Sequence, residues 1–570
     1  MKKAFCNRLL LICILCAAAG SPLFANGSRQ GGGSQSQARP ATWIADRKIV
    51  IQAYVDDIGD YLPDNQAANP AFQELKKRTG IDLEVRYTPG EKDRFVMAAQ
   101  LAAGAIPDMI LCYLNNSTRP EFPILLKAAK DGMFADLSSY FAGAKAYNRY
   151  LEPGYLPNDT RRNIMWRDDF NGQVYLVHLA IPATDDYLKF DPNADMVGGP
   201  YINEKIAQSL NLDVTAIKTA DDFYNLLVRI KNGNFRDNNG RPVTPLGPKF
   251  WGGSVDAIEE CMPGLFWGVS DGYNITAEGK ILHEIETDWA WRRVQYMRRL
   301  LSEGLMDKEF FTMDTTRALE YYTGNSGAIM GDVHNYVPLI RDQGGWIPIP
   351  YMTDWNGNNR RVTNGKGAYG AWAVSADAKN PREIFAFMDY MSTQEGQLFA
   401  TYGLEGLTFN LVNGKPRVTA DVAAVLSDDR ALSNRFGFGF GGAGNYFFEY
   451  ILTNKDNKGL FGEIRPGASG SAQFANSIAI ASKYPLQPRL VEGLAATAYL
   501  NADEMADIKA KMDLLNYKET LSQAVFAAQD AEARRILDNF KAQLTAAGLK
   551  QFETYLEALY KKDPKSINFR

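Results

Sequence analysis

From residue 45 onward the chain alternates short apolar runs with amphipathic stretches. Lys48 to Val55 (KIVIQAYV) is an apolar run of strand length, and Ile81 to Tyr87 (IDLEVRY) alternates with period two, as a half-buried strand does. Between them, Asn69 to Thr79 (NPAFQELKKRT) carries Phe72 and Leu75 at helical spacing and stops at Gly80. Asp93 to Ala103 repeats the helical pattern up to Gly104, and Pro107 to Tyr113 (PDMILCY) reads as a third strand. Strands alternating with helices in this way predict βαβ units on a mostly parallel sheet. Downstream, Gly172 to His178 reads as a hairpin leading into a strand, and Asn203–Leu210, Ala220–Lys231 and Asp288–Glu303 read as helices. Ala371–Ser375 reads as a short strand, followed by a helix over Asn380–Met391 with Pro381 in its first turn. Ala502 to Lys562 reads as wholly helical, with a break at Gly548.

The amino terminus follows a different pattern. Lys2, Lys3 and Arg8 precede the apolar run Leu9–Ala19, and Ser21 to Ala25 (SPLFA) offers a cleavage point after Ala25. Residues 1–25 therefore read as a secretory signal peptide, too short in its apolar part to span a bilayer. Cys16 offers an alternative fate, lipidation, although Leu15 stands where a lipobox wants a small residue. Residues 26–44, opening NGSRQGGGSQSQARPA, lack apolar periodicity and read as a flexible linker. A chain of 570 residues exceeds what one core supports, so two or more lobes are expected.

Charge narrows the function classes. Lys and Arg total 62 against 66 Asp and Glu, and removal of the basic leader makes the balance more acidic; a nucleic-acid partner, which needs a basic footprint, is not expected. After cleavage only Cys112 and Cys261 would remain, as a disulfide or as two isolated buried residues. The three histidines, His178, His283 and His334, show no zinc spacing, and no Gly-x-Ser-x-Gly elbow occurs. Paired acids such as Asp168–Asp169, Asp185–Asp186 and Glu259–Glu260 are adjacent in sequence, which does not set two carboxylates across a scissile bond. Gly437 to Gly442 matches G-x-G-x-x-G without the strand and helix that a dinucleotide site requires. The expectation is a protein that is not an enzyme and uses no cofactor; a secreted glycosidase or lyase is the competing class.

The aromatic content points to a ligand with apolar faces. There are nine Trp and 28 Tyr, and four tryptophans sit beside glycine: Trp251, Trp267, Trp346 and Trp372. A pyranose has an apolar face and a polar rim, so flat aromatics at turns or strand ends suit a sugar, with core packing as the alternative use. Ligands of open α/β sheets sit beyond the carboxyl ends of the strands. That rule selects Cys112 to Arg119 (CYLNNSTR), where Tyr113 and Asn116 could stack on and hydrogen-bond a sugar.

Several spaced motifs then resemble the family 1 extracellular solute-binding proteins, especially their large oligosaccharide-binding, lipoprotein-like branch. They are LAAGAIPDMI at Leu101–Ile110, PYINEKIAQSLNLDVTAIKTADDFYNLLVRI at Pro200–Ile230, GNSGAIMGD at Gly324–Asp332, and GAWAVSADAKNPREIFAFMDYMSTQEGQLFATYGLEG at Gly370–Gly406. Ile536 to Tyr560 is similar to the carboxy-terminal helices of that branch. The resemblance implies an α/β, two-lobed periplasmic-binding-protein-like (class II) fold with additional C-terminal helices. Lobe 1 would comprise 45–160 plus 345–393, and lobe 2 161–344 plus 394–570. It also implies ligand contacts from Asp332 and Asn335, after the GAIMGD strand, and from Asp185 and Tyr187, after Leu179–Pro182. The implied partners are a carbohydrate and the transmembrane subunits of an ABC permease, with a receptor to which the protein presents a sugar as the alternative, for an exported protein that works as a monomer. Some long members carry a calcium loop; here Lys231 to Pro242 (KNGNFRDNNGRP) has too few carboxylates in register, and Arg241 falls on a ligand position.

Overall fold

The computed structural model describes residues 39–55, 58, 62–88, 93–114, 121–156, 161–179, 200–250, 272–276, 278–333, 345–350, 352–355, 357, 360–362, 370–425, 429–437, 489–491, 494–495, 505–562 and 567–568. In chain order the first part runs β1 (Arg47–Tyr54), α1 (Pro70–Thr79), β2 (Ile81–Tyr87), α2 (Asp93–Ala102), β3 (Met109–Tyr113), α3 (Glu121–Lys130) and β4 (Val177–Leu179). Then follow β5 (Tyr201–Asn203), α4 (Glu204–Ser209), α5 (Ala220–Asn232), β6 (Thr244–Lys249), β7 (Tyr273–Ile275), β8 (Ile281–His283), α6 (Trp289–Ser302), α7 (Thr315–Gly324), β9 (Gly327–Gly331) and β10 (Trp346–Pro348). The last part holds β11 (Arg360–Val362), β12 (Gly370–Val374), α8 (Pro381–Met391), α9 (Gln394–Tyr402), β13 (Phe409–Val412), β14 (Lys415–Val418), α10 (Ala420–Ala423), α11 (Asp429–Phe436) and β15 (Arg489–Val491). Helices α12 (Ala506–Asp513), α13 (Tyr517–Phe526), α14 (Asp530–Ala547) and α15 (Leu549–Lys562) close the chain.

Two sheets organise two lobes. The first has the order β2-β1-β3-β12-β4, with β1, β2 and β3 parallel and β12 antiparallel to both β3 and β4. Its core joins Ile49, Ile51, Leu83, Val85, Leu111 and Trp372 to Phe72, Phe122, Phe141 and Phe385 from the surrounding helices and turns. The second sheet has the order β10-β5-β9-β6, where β6 and β9 are parallel and β5 runs against β9 and β10. Its core gathers Phe223, Leu227 and Ile230 of α5, Val294, Met297 and Leu300 of α6, and Leu521, Leu537, Phe540, Phe552 and Leu556 of the terminal helices.

Local chemistry explains the boundaries. Asn69 caps α1 by accepting the Ala71 N–H at 3.0 Å, and Gly80 ends it at φ 80°. A Cβ at Gly80 would come within 2.2 Å of the Ala45 carbonyl oxygen, so the turn into β2 needs glycine on two counts. Thr219 and Asp222 form a reciprocal capping box at the start of α5.

Sheet pairing and core membership shift the expected lobe boundaries. Residues 161–179, assigned from sequence to lobe 2, supply Ile164, Met165, Phe170 and Val174 to the first core and β4 to the first sheet. Conversely, β10 pairs with β5, and Ile349 and Met352 join the second core, which moves the expected lobe 1 stretch 345–355 into lobe 2. Phe399 and Ala400 of α9 return to the first core, although 394 onward was expected in lobe 2. Helix α11 also lies on the first lobe, where the Ser433 carbonyl accepts the Asn69 side-chain N–H at 3.1 Å. Among the described residues the core membership therefore switches from the first lobe to the second between 179 and 200, back between 355 and 370, and again between 437 and 505.

Candidate functional site

The two ends of each sheet differ in chemistry. At the amino ends, Arg47 opens β1 and Asp108 immediately precedes β3. Arg47 Nη2 lies 2.9 Å from Asp108 Oδ1 and Nη1 lies 3.2 Å from Glu383 Oε2, while Asp108 Oδ2 accepts the Val50 N–H at 2.8 Å. The second lobe repeats the device. Asp237 accepts the backbone N–H groups of Asn239 (2.9 Å) and Arg241 (2.8 Å), the Arg241 Nε–H (2.9 Å) and the Ser326 hydroxyl (2.9 Å), and Ser326 directly precedes β9. Burial pushes the Asp237 carboxyl up, but these donors outweigh it and hold the group below the usual aspartate range.

The carboxyl ends carry aromatic residues instead. Tyr54, Tyr87 and Tyr113 are the last residues of β1, β2 and β3, three adjacent strands. Tyr87 stands level with Ala53, and Tyr54 level with Cys112. Tyr54 is buried and its hydroxyl donates to Gln100 Oε1; Tyr113 is half-buried against the first core; Tyr87 is 42% exposed. In the second lobe Lys249 ends β6 opposite Gly331, and Tyr201 sits between Met330 and Pro348. Phe250 meets the Tyr322 ring edge-on at 5.5 Å, and the Tyr322 hydroxyl donates to the Gly331 carbonyl. Asp332, the next residue, turns the chain at φ 51° and is largely buried.

Tyr113 and Asp332 thus lie at carboxyl ends of strands, one in each lobe. Asn116 follows β3, Trp251 and Trp267 follow β6, Asn335 follows β9, and Asp185 and Tyr187 follow β4 in sequence; all six lie outside the described residues. Cys261 does too, whereas Cys112 is buried in β3 with its Sγ 3.6 Å from Met97 Sδ.

Two tryptophans correct the glycine-flanked reading. Trp372 is central in β12, fully buried, and packs against Tyr147 and Phe385 with ring centroids 6.0 and 6.2 Å apart. Trp346 opens β10 opposite Asn203, at the amino edge of the second sheet, and is 2% exposed in a cluster with Tyr201, Tyr321 and Tyr322. In both, the neighbouring glycine marks entry into a strand and close packing, not a ring offered to a ligand. The missed signal was simpler: QAY, VRY and LCY end three successive strands in tyrosine.

The 231–242 turn does not fit a calcium ion. Calcium needs six to eight oxygen ligands, whereas the Asp237 carboxylate is already taken by the Asn239 and Arg241 backbone N–H groups and the Ser326 hydroxyl, with the Arg241 guanidinium supplying the positive charge. Among the described residues no cluster of three His, Cys, Asp or Glu side chains could hold a metal ion. None of the described helices is long and apolar enough to cross a membrane.

A two-lobed α/β architecture with aromatic and polar residues at the carboxyl ends of both sheets is one on which ligand-binding proteins are built. The sequence model of the bacterial extracellular solute-binding proteins matches residues 59–398, and the chain belongs to that family. It is 22% identical over 362 residues to lipoprotein LipO of Bacillus subtilis (strain 168), covering 61% of this chain and 65% of LipO. It is also 22% identical over 355 residues to the polygalacturonan/rhamnogalacturonan-binding protein YtcQ of the same strain, covering 60% and 63%. The matched stretch thus spans under two thirds of either relative. Among solved structures, the alginate-binding protein AlgQ2 without calcium ion shares the fold, with TM-score 0.62 at 18% identity over 92% of this chain and 100% of its own.

Proposed function

We propose that this protein captures an oligosaccharide outside the cytoplasm and delivers it to the permease of an ABC importer. The observation that carries the reading is the run of tyrosines ending β1, β2 and β3, with one ring substantially exposed. Aromatic faces with hydrogen-bonding rims match the amphipathic surface of a sugar. Asp332 supplies a carboxylate at the corresponding end of the other lobe. Asn116, Asp185, Tyr187, Trp251, Trp267 and Asn335 complete the proposed set, since each follows a carboxyl strand end in sequence. A carbohydrate is further supported by the relative named for polygalacturonan and rhamnogalacturonan binding.

In this reading the two carboxyl edges border one cleft that closes on the ligand. A ligand that touches both edges only when they approach stabilises the closed state by its differential affinity. The amino-terminal segment directs export, with retention by a lipid on Cys16 or release by cleavage after Ala25; mass determination of the exported protein separates the two. Function is tested by incubating the purified exported chain with neutral and uronate oligosaccharides. Thermal stabilisation with the glycan recovered intact is expected; shortened or unsaturated products would instead establish a polysaccharide-active enzyme.

A further inference from the structure

The terminal helices meet the second lobe along the edge of β8. Glu553 Oε1 accepts the His283 N–H at 2.9 Å, and Glu557 Oε1 accepts the Ile281 N–H at 3.1 Å. Four residues of helix rise about 6 Å, and two residues of strand about 6.7 Å. Carboxylates at i and i+4 of α15 therefore match alternate N–H groups of the strand.

The seam is short of positive charge. The Glu553 side chain is 4% exposed, and the ammonium against it, Lys550, lies 3.2 Å from Oε2 and is shared with Glu286, whose side chain is 8% exposed. Burial first, and then the Glu286 carboxylate, push the Glu553 carboxyl up to about 7, against the opposing pull of the His283 N–H and Lys550. The neighbouring groups are engaged elsewhere. Glu284 pairs with Arg293 at 2.9 Å and accepts the Tyr517 hydroxyl. The His283 imidazole accepts the Ile285 N–H on Nδ1 at 3.2 Å and meets Tyr273 and Tyr517 edge-on. On the helices themselves, Glu557 pairs with Lys561, and Lys509 of α12 pairs with Asp513.

We propose that Glu553 and Glu286 form a proton-operated latch that fastens the C-terminal helices to the second lobe. With one proton on the pair, a carboxyl O–H spans the two side chains and Lys550 balances the remaining charge. Without it, two largely buried carboxylates compete for one ammonium, whose own side chain is 59% exposed. Because the folded group titrates above its ordinary value of 4.5, docking is strongest below that pH and weakens as pH rises through about 7. The latch does not depend on which ligand the protein binds.

Hydrogen exchange of the ligand-free exported chain, corrected for the intrinsic rate, reads it directly in peptides covering 281–286 and 549–562. Protection is expected to be about tenfold greater or more at pH 5.5 than at pH 8.0. Glu553→Gln keeps a carbonyl for the His283 N–H and offers an amide N–H to Glu286, so it should be equally protected at both pH values. Glu286→Gln, which leaves Lys550 to Glu553 alone, should move the transition to lower pH. Wild-type protection that ignores pH would overturn the latch. So would a Glu553→Gln variant that keeps the wild-type pH dependence, which would place the proton outside this pair.

Discussion

The two ends of the same strands have been given different chemistry. At the amino ends, both lobes tie a carboxylate to an arginine and to backbone N–H groups: Asp108 with Arg47 and Val50, Asp237 with Arg241 and Asn239. In each case the carboxylate takes its partners from within its own lobe, although Arg47 and Asp108 also line a surface cavity with Lys48, Asp377 and Lys379. At the carboxyl ends the first sheet finishes in three tyrosines, and the second in Lys249, Phe250 and Asp332. Polar groups that satisfy one another make a scaffold; of the three rings at the other end Tyr87 is exposed, while Tyr54 is buried and Tyr113 half-buried. The contrast is between an end where polar groups pair within the protein and an end that the proposed function uses for recognition.

That division can be broken at several points. The largest effect is expected from Trp372→Ala in the first core, where loss of the buried ring should cost about 4 kcal/mol in denaturant unfolding. Next comes Asp108→Ala, which strands the Val50 N–H and the Arg47 guanidinium and should cost about 2 kcal/mol. At the other end, Tyr87→Ala should weaken glycan binding about tenfold by calorimetry, with unfolding changed by less than about 0.5 kcal/mol. A reversed outcome, with Tyr87 governing stability and Asp108 governing affinity, would dissolve the distinction between the ends.

Two smaller effects sharpen it. The folded-state pKa of Asp237 is depressed, so its contribution is present above the ordinary aspartate range and fades as pH falls through the lower folded value. Asp237→Asn should flatten that acid limb of a pH–stability curve and leave the neutral region shifted only downward. Smallest of all, a chelator should move the melting temperature by less than about 1 °C, because Arg241 already supplies the cation of this turn. A fall of several degrees would place a metal where the guanidinium now stands.

The scaffold was more legible in the sequence than the site. β2 runs from Ile81 to Tyr87 as its alternation predicts, α1 starts one residue after the expected Asn69, and α15 starts directly after the break at Gly548. Periodicity reports burial, and these elements are half-buried. β6 escaped notice because TPLGPK contains two prolines and a glycine. It is an edge strand, where proline is tolerated, and Gly247 lets it approach β9, since a Cβ there would lie 2.9 Å from Met330. The lobe boundaries were displaced because β4 and β10 are three residues each, too short to show a period. Glycine beside tryptophan proved ambiguous for a physical reason: a residue without Cβ serves a tight strand entry as well as an exposed turn. What a ring faces depends on the sheet it joins, which local sequence does not encode.

The pairing of α15 with β8 has a consequence for the chain while it folds. The β7–β8 hairpin is complete long before the terminal helices are made, so the outer row of β8 is an open template for another chain. Glu553 and Glu557 later occupy that row with side chains, which end the ladder because they carry no further strand edge beyond them. A chain stopped before Leu549 would leave the Ile281 and His283 N–H groups of that row without the carboxylates that now accept them.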